Sequence, residues 1–107
     1  MADLVCTFTR AHPKHPVQVA GTSRTERLTI SEGSDGAELG TLTAAAIAGD
    51  EGEHILSLYA GADCWVDVGL APEAESPSPG GSSRFMAEGE RLELWVEYGH
   101  KVSVVGA

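Results

Sequence analysis

Apolar and polar residues alternate with a period of two in several short segments of the chain, most clearly in residues 91–98. Because successive side chains of a β-strand point to opposite faces, this period predicts a strand with one buried face. One face carries Leu92, Leu94, Val96 and Tyr98, and the other carries Glu93, Trp95 and Glu97.

Shorter segments of the same character recur about every ten residues, with glycine-rich or acidic turn signals between them. This spacing is typical of a β-sandwich, a jelly roll or a small barrel. We therefore predict an all-β, antiparallel, sandwich-like or jelly-roll-like single domain over residues 1–107. The predicted strands are residues 4–9, 26–31, 54–60, 64–69, 85–86, 91–98 and 101–105.

The alternation also predicts which side chains face the core. Each predicted strand has one face made of aliphatic or thiol side chains, and the opposite face is polar in most of them. The inward-facing residues expected on this basis are Leu28, Ile30, Leu56, Leu58, Cys64, Val66 and Val68.

Proline marks the connections near the beginning of the chain. Pro13 and Pro16 exclude a helix and disfavour a central strand, so within residues 1–20 the proline-rich residues 10–17 are predicted as an extended arm, followed by a short edge strand at 17–20. Residues 41–48 are ambiguous between a helix and a strand, with a strand or irregular segment preferred.

Two later connections are also predicted from turn residues. Residues 71–84 contain three prolines, two glycines and four serines, so we expect an exposed loop inside the domain. Gly99 and His100 predict a tight, hairpin-like turn between the last two strands.

The charge balance narrows the range of partners. With 7 basic and 16 acidic residues the formal net charge is −9, which disfavours binding to nucleic acid and to anionic membranes. The segment after Met1 is not basic and then apolar, so we expect no signal peptide. The longest apolar run, residues 44–48, is too short to span a bilayer.

Cysteine and histidine do not suggest a cofactor or metal site. Cys6 and Cys64 lie in strand-like segments, and buried free thiols are favoured over a disulfide, which stays open as the alternative. Of the four histidines, His12 and His15 are separated by proline, and His54 and His100 are isolated.

No serine or cysteine lies in the context of a catalytic nucleophile, and no phosphate-binding glycine motif precedes a predicted helix. The acidic clusters also lack the positional pattern of a calcium loop. We therefore expect a protein without catalytic activity, cofactor or metal.

The two tryptophans are the candidate contact residues. Trp95 projects between Glu93 and Glu97, on the face opposite the core, and a tryptophan on a polar face often marks an interface. The alternative is that a loop, for example residues 71–84, covers that face, so that Trp95 belongs to a small secondary hydrophobic core, here called a satellite core. Trp65 poses the same question with the satellite core preferred, and the two indoles would share one patch if their strands paired.

A family resemblance is carried by residues 63–74 and by the segments that follow. These residues resemble a pattern of small structural proteins of tailed bacteriophages, in which a Gly/Ser-rich loop and a C-terminal pair of strands follow. The chain departs from the pattern by its charges at Asp67, Glu93 and Glu97. The resemblance covers roughly residues 54–105, about half the chain. The matching segments are Asp63-Cys64-Trp65-Val66-Asp67-Val68-Gly69-Leu70-Ala71-Pro72-Glu73-Ala74, Phe85-Met86-Ala87-Glu88-Gly89, Leu92 to Tyr98 and Gly99-His100-Lys101-Val102-Ser103-Val104-Val105.

The resemblance implies a virion component, made in the bacterial cytoplasm and located on the capsid surface. The expected role is a head decoration, or cement, protein that binds the major capsid protein and further copies of itself. A tail or head–tail accessory protein is the near variant. The expected contact residues are Trp95, Trp65 and, in the arm, Pro13 and Pro16.

Two hypotheses from other classes stay open. The first is a small carbohydrate-binding module in which Trp95, Trp65 or Tyr59 stacks on sugar rings while acidic side chains bind hydroxyl groups. The second is a small cupin-like enzyme, which would require clustered histidine and carboxylate ligands.

Overall fold

Eight β-strands form the part of the chain that the structure describes. The computed structural model describes residues 2–10, 23–30, 38–40, 54–74, 83–97 and 99–107. The strands are β1 (Asp3–Arg10), β2 (Arg24–Thr29), β3 (Glu38–Leu39), β4 (His54–Ala60), β5 (Cys64–Gly69), β6 (Arg84–Met86), β7 (Arg91–Val96) and β8 (Lys101–Gly106).

The strands form two antiparallel sheets of four strands each. The first sheet has the order β2-β1-β4-β7, and the second sheet has the order β3-β8-β5-β6. β2 contacts β3 across the sandwich. On the other side of the sandwich, residues of β6 and β7 line a common hollow. The predicted all-β, sandwich-like antiparallel fold is confirmed, and none of the described residues is helical.

The core lies between the two sheets and is built from the inward face of each strand. In the first sheet, Cys6 lies opposite Leu58 and Phe8 opposite Leu56, while in the second sheet Val66 lies opposite Val104. The predicted inward faces are thus confirmed. The buried core residues are Leu4, Cys6, Phe8, Leu28, Leu56, Leu58, Ala60, Cys64, Val66, Met86, Val96, Val102 and Val104, with Ile30, Val68, Leu92 and Leu94 partly buried against them.

The predicted hairpin at Gly99 and His100 is wrong. β7 pairs with β4 in the first sheet, whereas β8 pairs with β5 and β3 in the second sheet, so the turn carries the chain from one sheet to the other. The turn is closed by a hydrogen bond from the His100 N–H to the Glu97 carbonyl (3.2 Å), and Gly99 adopts a positive φ of 86°. β8 has buried side chains on both faces, because Val102 and Val104 face the core while Ser103 contacts Ala74 and Val105 lies beside Trp65 on the outer face.

Several expectations concern residues outside the described part of the chain. They are the proline arm with Pro13 and Pro16, the edge strand at 17–20, the ambiguous segment 41–48, and Tyr98. Of the loop predicted at 71–84, the structure describes residues 71–74 and 83–84, in which Pro72 and Ala74 are buried and Ala71, Glu73 and Arg84 are exposed.

Candidate partner-binding surfaces

The motif that carries the family resemblance begins at a junction of three segments. The Asp63 carboxylate accepts a hydrogen bond from the Glu88 N–H (2.8 Å), and its carbonyl accepts one from the Ala107 N–H (3.2 Å). Ala60 donates to the Glu90 carbonyl (3.1 Å) next to this point. Asp63 therefore joins the β4–β5 turn to the β6–β7 turn and to residue 107.

The rest of the motif folds a loop over the outer face of the second sheet. The Asp67 carboxylate accepts a hydrogen bond from the Glu73 N–H (2.9 Å), and the buried Ser103 hydroxyl accepts one from the Ala74 N–H (3.1 Å). Asp67 and Ser103 are cross-strand partners on β5 and β8. The motif thus specifies a strand and the loop that covers it, so the resemblance concerns folding residues.

Trp65 belongs to a small apolar cluster on the same outer face. Its ring packs edge-on against the Phe85 ring, with centroids 5.3 Å apart and planes at 62°. Val105, its cross-strand partner on β8, is fully buried. Trp65 is half-buried as a result, and the exposed part of this cluster is Phe85.

Trp95 lies on the outer face of the first sheet and is 46% exposed. Its cross-strand neighbour on β4 is Ile55. Ile55 is buried on that same face, together with Thr9 of β1. β5 and β7 lie in different sheets, so the idea that the two indoles share one patch is wrong. The tryptophans are on opposite sides of the sandwich.

The remainder of that face is a grid of hydroxyl, aromatic and charged side chains. The Arg91 guanidinium lies over the Tyr59 ring, 4.8 Å from its centroid, and Tyr59 is 39% exposed. Thr7 and Thr25 share a hydrogen bond (3.1 Å) across β1 and β2. The registers give two rows, Arg27-Val5-Tyr59-Arg91 and Thr25-Thr7-Ser57-Glu93.

A shallow hollow of about 170 Å³ lies in this grid. Val5, Leu58 and Leu92 form part of its lining, together with Thr7, Ser57 and Glu93. Its volume lies below the roughly 300–1,000 Å³ that is usual for small-ligand sites, so it has room only for a small chemical group.

A second hollow, of about 220 Å³, lies between the sheets at the side where β6 and β7 meet, here called the open edge. Leu58, Leu92 and Leu94 of the first sheet face Val66 and Val68 of the second. Arg84 also lines it and is exposed. Leu92 and Leu94 are only half-buried because β6 is three residues long and covers little of this side.

Both cysteines are buried in the core, as predicted. Burial raises the pKa of the Cys6 thiol from 9.0 to about 12, and the negative charge of Glu26 adds to the shift. Burial likewise raises the pKa of the Cys64 thiol to about 11, with a contribution from Asp63. Neither thiol has the lowered pKa of a catalytic nucleophile.

The described histidines are not brought together. His54 is fully buried at the start of β4, whereas the His100 Nδ1 atom accepts a hydrogen bond from the Glu97 N–H (3.2 Å). In the described ranges no group of three or more His, Cys, Asp and Glu side chains is placed to hold a metal ion. The described segments also contain no helix that is long and apolar enough to cross a membrane.

The expected contact residues are therefore separated by the fold. Trp95 is exposed on the first sheet, Trp65 is packed on the second, and Pro13 and Pro16 lie outside the described residues. Sequence reasoning missed the Tyr59–Arg91 contact and the open edge. Alternation placed Tyr59 and Arg91 on outward faces, but their proximity depends on the pairing of β4 with β7.

Comparisons of the chain with protein-family models, with curated proteins and with solved structures find no match. What the protein binds is therefore inferred from its own surfaces and from the motif described above.

Proposed function

We propose that this protein is a non-enzymatic structural component of a bacteriophage virion, most specifically a decoration protein that binds the major capsid protein and stabilises the head. A tail or head–tail accessory role is the near variant. In this proposal the protein also binds copies of itself and uses no cofactor.

The observation that carries the proposal is the exposed aromatic surface of the first sheet. Tyr59 and Trp95 expose 39% and 46% of their surface, on the side of the sandwich opposite the covering loop of the second sheet. Aromatic side chains are enriched where proteins bind one another. The resemblance of roughly residues 54–105 to phage structural proteins gives the class of partner.

The net charge is compatible with this role. At −9 the chain repels nucleic acid, so a location on the outer capsid surface fits its charge better than one against packaged DNA. The same charge favours solubility on a crowded particle. A protein with this task needs a compact β domain and a contact surface, and no reactive group.

The copy number of the protein in purified particles tests the proposal. Quantitative mass spectrometry would compare it with the major capsid protein in particles from its source. A ratio near one per capsid subunit, or a simple fraction of one, is expected for decoration. A ratio matching a single ring would instead place the protein in the tail or neck, and its absence from particles would overturn the virion role.

Carbohydrate binding is a second candidate, favoured by the hollow on the first sheet. Tyr59 offers an aromatic ring, one face of which is covered by the Arg91 guanidinium at 4.8 Å, and Ser57 and Glu93 line the hollow of about 170 Å³ beside it. The same measurement separates the two candidates, because a sugar-binding protein without a virion role would be absent from the particles.

A further inference from the structure

β7 is the outermost strand of the first sheet at the open edge. Among the described residues, β4 is the strand that pairs with it, along the whole of Arg91–Val96. Natural sheets protect such edges with proline, charged side chains (especially lysine or inward-pointing charges), bulges or very short strands. β7 is six residues long, contains no proline or lysine, and directs its charges, Arg91 and Glu93, outward and not into the core, so this edge is suited to pairing with another strand of complementary charge.

The inward face of β7 is also incompletely covered. Leu92 and Leu94 are half-buried and line the hollow of about 220 Å³ between the sheets. A strand added beside β7 would place every second side chain over this hollow. Its apolar residues would then remove Leu92 and Leu94 from water.

We propose that β7 pairs antiparallel with β7 of a second copy of this chain, in a register centred on Leu94. Directly opposite residues of an antiparallel pair always lie on the same side of the sheet. When a strand pairs with a second copy of itself, the inward faces of the two copies therefore coincide only if the two paired residue numbers sum to an even number. The register centred on Leu94 meets this condition. It pairs Leu94 with itself and Leu92 with Val96, so that both apolar faces remain directed inward.

The charges on the outward face select this register over its neighbour. Centring on Leu94 places Arg91 opposite Glu97 of the second copy, twice by symmetry, with Glu97 exposed just after β7. The register centred on Glu93 instead places two glutamates against each other, which is unfavourable. In the chosen register Glu93 faces Trp95 of the second copy, and the pairing is closed because it has two-fold symmetry.

The inference specifies how copies of the chain would bind one another in the proposed function. It rests on that self-association only, and not on binding to a capsid. The test uses the purified chain without particles. Failure of the pairing is therefore measured separately from failure to bind a capsid.

Size-exclusion chromatography with light scattering, over a wide range of protein concentration, tests the pairing. The unmodified chain is expected to reach about 22 kDa, twice its monomer mass of 11.2 kDa. Arg91→Glu and Glu97→Arg each place two like-charged pairs in the dimer and are expected to weaken dimerisation by about ten-fold or more. The double variant restores opposite charges and is expected to recover most of the loss.

Arg27→Glu is the matched control because Arg27 lies on the outward face of β2, at the far edge of the same sheet. It changes the net charge as Arg91→Glu does and should leave dimerisation unchanged. Circular dichroism checks that every variant is folded. A monomer at all concentrations would overturn the proposal, and so would a double variant as weak as the two single ones.

Discussion

Cys6 and Cys64 contribute to the molecule as buried apolar side chains. They lie on facing sheets, Cys6 in β1 and Cys64 in β5, and both belong to the shared core. Burial in an apolar core disfavours the thiolate, which accounts for the raised pKa of each thiol. The cysteines are therefore expected to be chemically inert in the folded protein.

Thiol alkylation measures this directly. In the native protein at neutral pH, both cysteines should react at least about 100-fold more slowly than in denaturant, because reaction requires the core to open. The denatured protein is the control, and counting the added mass by mass spectrometry distinguishes none, one or two modified thiols. Rapid labelling of either thiol in the native state would contradict the burial described here.

The same pKa shifts set the direction of the pH dependence of stability. Below pH 9 the thiols are protonated in both the folded and the unfolded states, so their contribution to stability is fully present. As the pH rises from about 9 towards 11–12, the unfolded state loses thiol protons that the folded state retains. The free energy of unfolding should therefore fall over this window, as urea denaturation at several pH values would show.

Asp67 is one of the charged residues by which the chain departs from the phage pattern, and the fold explains its presence. Its carboxylate accepts the Glu73 N–H at 2.9 Å and holds the loop against β5. The departure at Glu97 acquires a role only in the proposed pairing, where it faces Arg91 of a second copy. Charges that look unusual in the sequence thus have roles that depend on three-dimensional neighbours.

At the scale of elements, the β4–β5 turn packs closely against the start of β1. Gly61 donates a hydrogen bond to the Asp3 carbonyl (2.9 Å), and a Cβ atom added to Gly61 would lie 2.8 Å from that same oxygen. By contrast, a Cβ atom added to Gly69, at the end of β5, has no neighbour within 4 Å. The two glycines therefore form a matched pair for substitution.

Gly61→Ala is expected to lower the free energy of unfolding by about 1–3 kcal/mol, because β1 must shift away from the added methyl group. Gly69→Ala should lie within about 1 kcal/mol of the unmodified chain, since the methyl group enters open space and reduces the freedom of the unfolded chain. Urea denaturation followed by circular dichroism compares the two. Equal losses in both variants would contradict the close approach of Gly61 to Asp3.

The elements themselves were largely predictable from the sequence, whereas their pairing was not. Alternation in residues 54–60, 64–69 and 91–96 gave the strands and their inward faces, because burial on one face is a local property of the pattern. The pattern does not state which strand lies beside which. Gly99 and His100 therefore predicted a hairpin, although the chain crosses there between sheets.

The candidate surfaces show the same division between local and long-range information. The exposure of Trp95 followed from its position between Glu93 and Glu97, and the structure agrees with the outward direction. The packing of Trp65 against Phe85 depends on β5 pairing with β6 across a connection of 14 residues, 70–83. The Tyr59–Arg91 contact likewise arises from the β4–β7 register alone.

At the scale of the whole molecule, the two outer faces of the sandwich differ in what they offer a partner. The second sheet is partly covered by its own loop, through the Asp67 and Ser103 hydrogen bonds. The first sheet presents Tyr59, Arg91 and Trp95 on its outer face and has a free edge at β7 among the described residues. In the proposed function, we therefore expect the protein to attach to the capsid through the first sheet.

Substituting one aromatic residue on each face tests that expectation within the proposed function. Trp95→Ala should weaken attachment to particles lacking the protein by about ten-fold or more, as is usual for a central tryptophan in an interface. Phe85→Ala removes an aromatic residue of similar exposure, 43% against 46%, from the opposite face and should change attachment by less than about three-fold. Co-sedimentation with the particles measures both variants at matched oligomeric state. Equal weakening by the two, with both folded, would contradict attachment through the first sheet alone, because the substitutions lie on opposite sides of the sandwich.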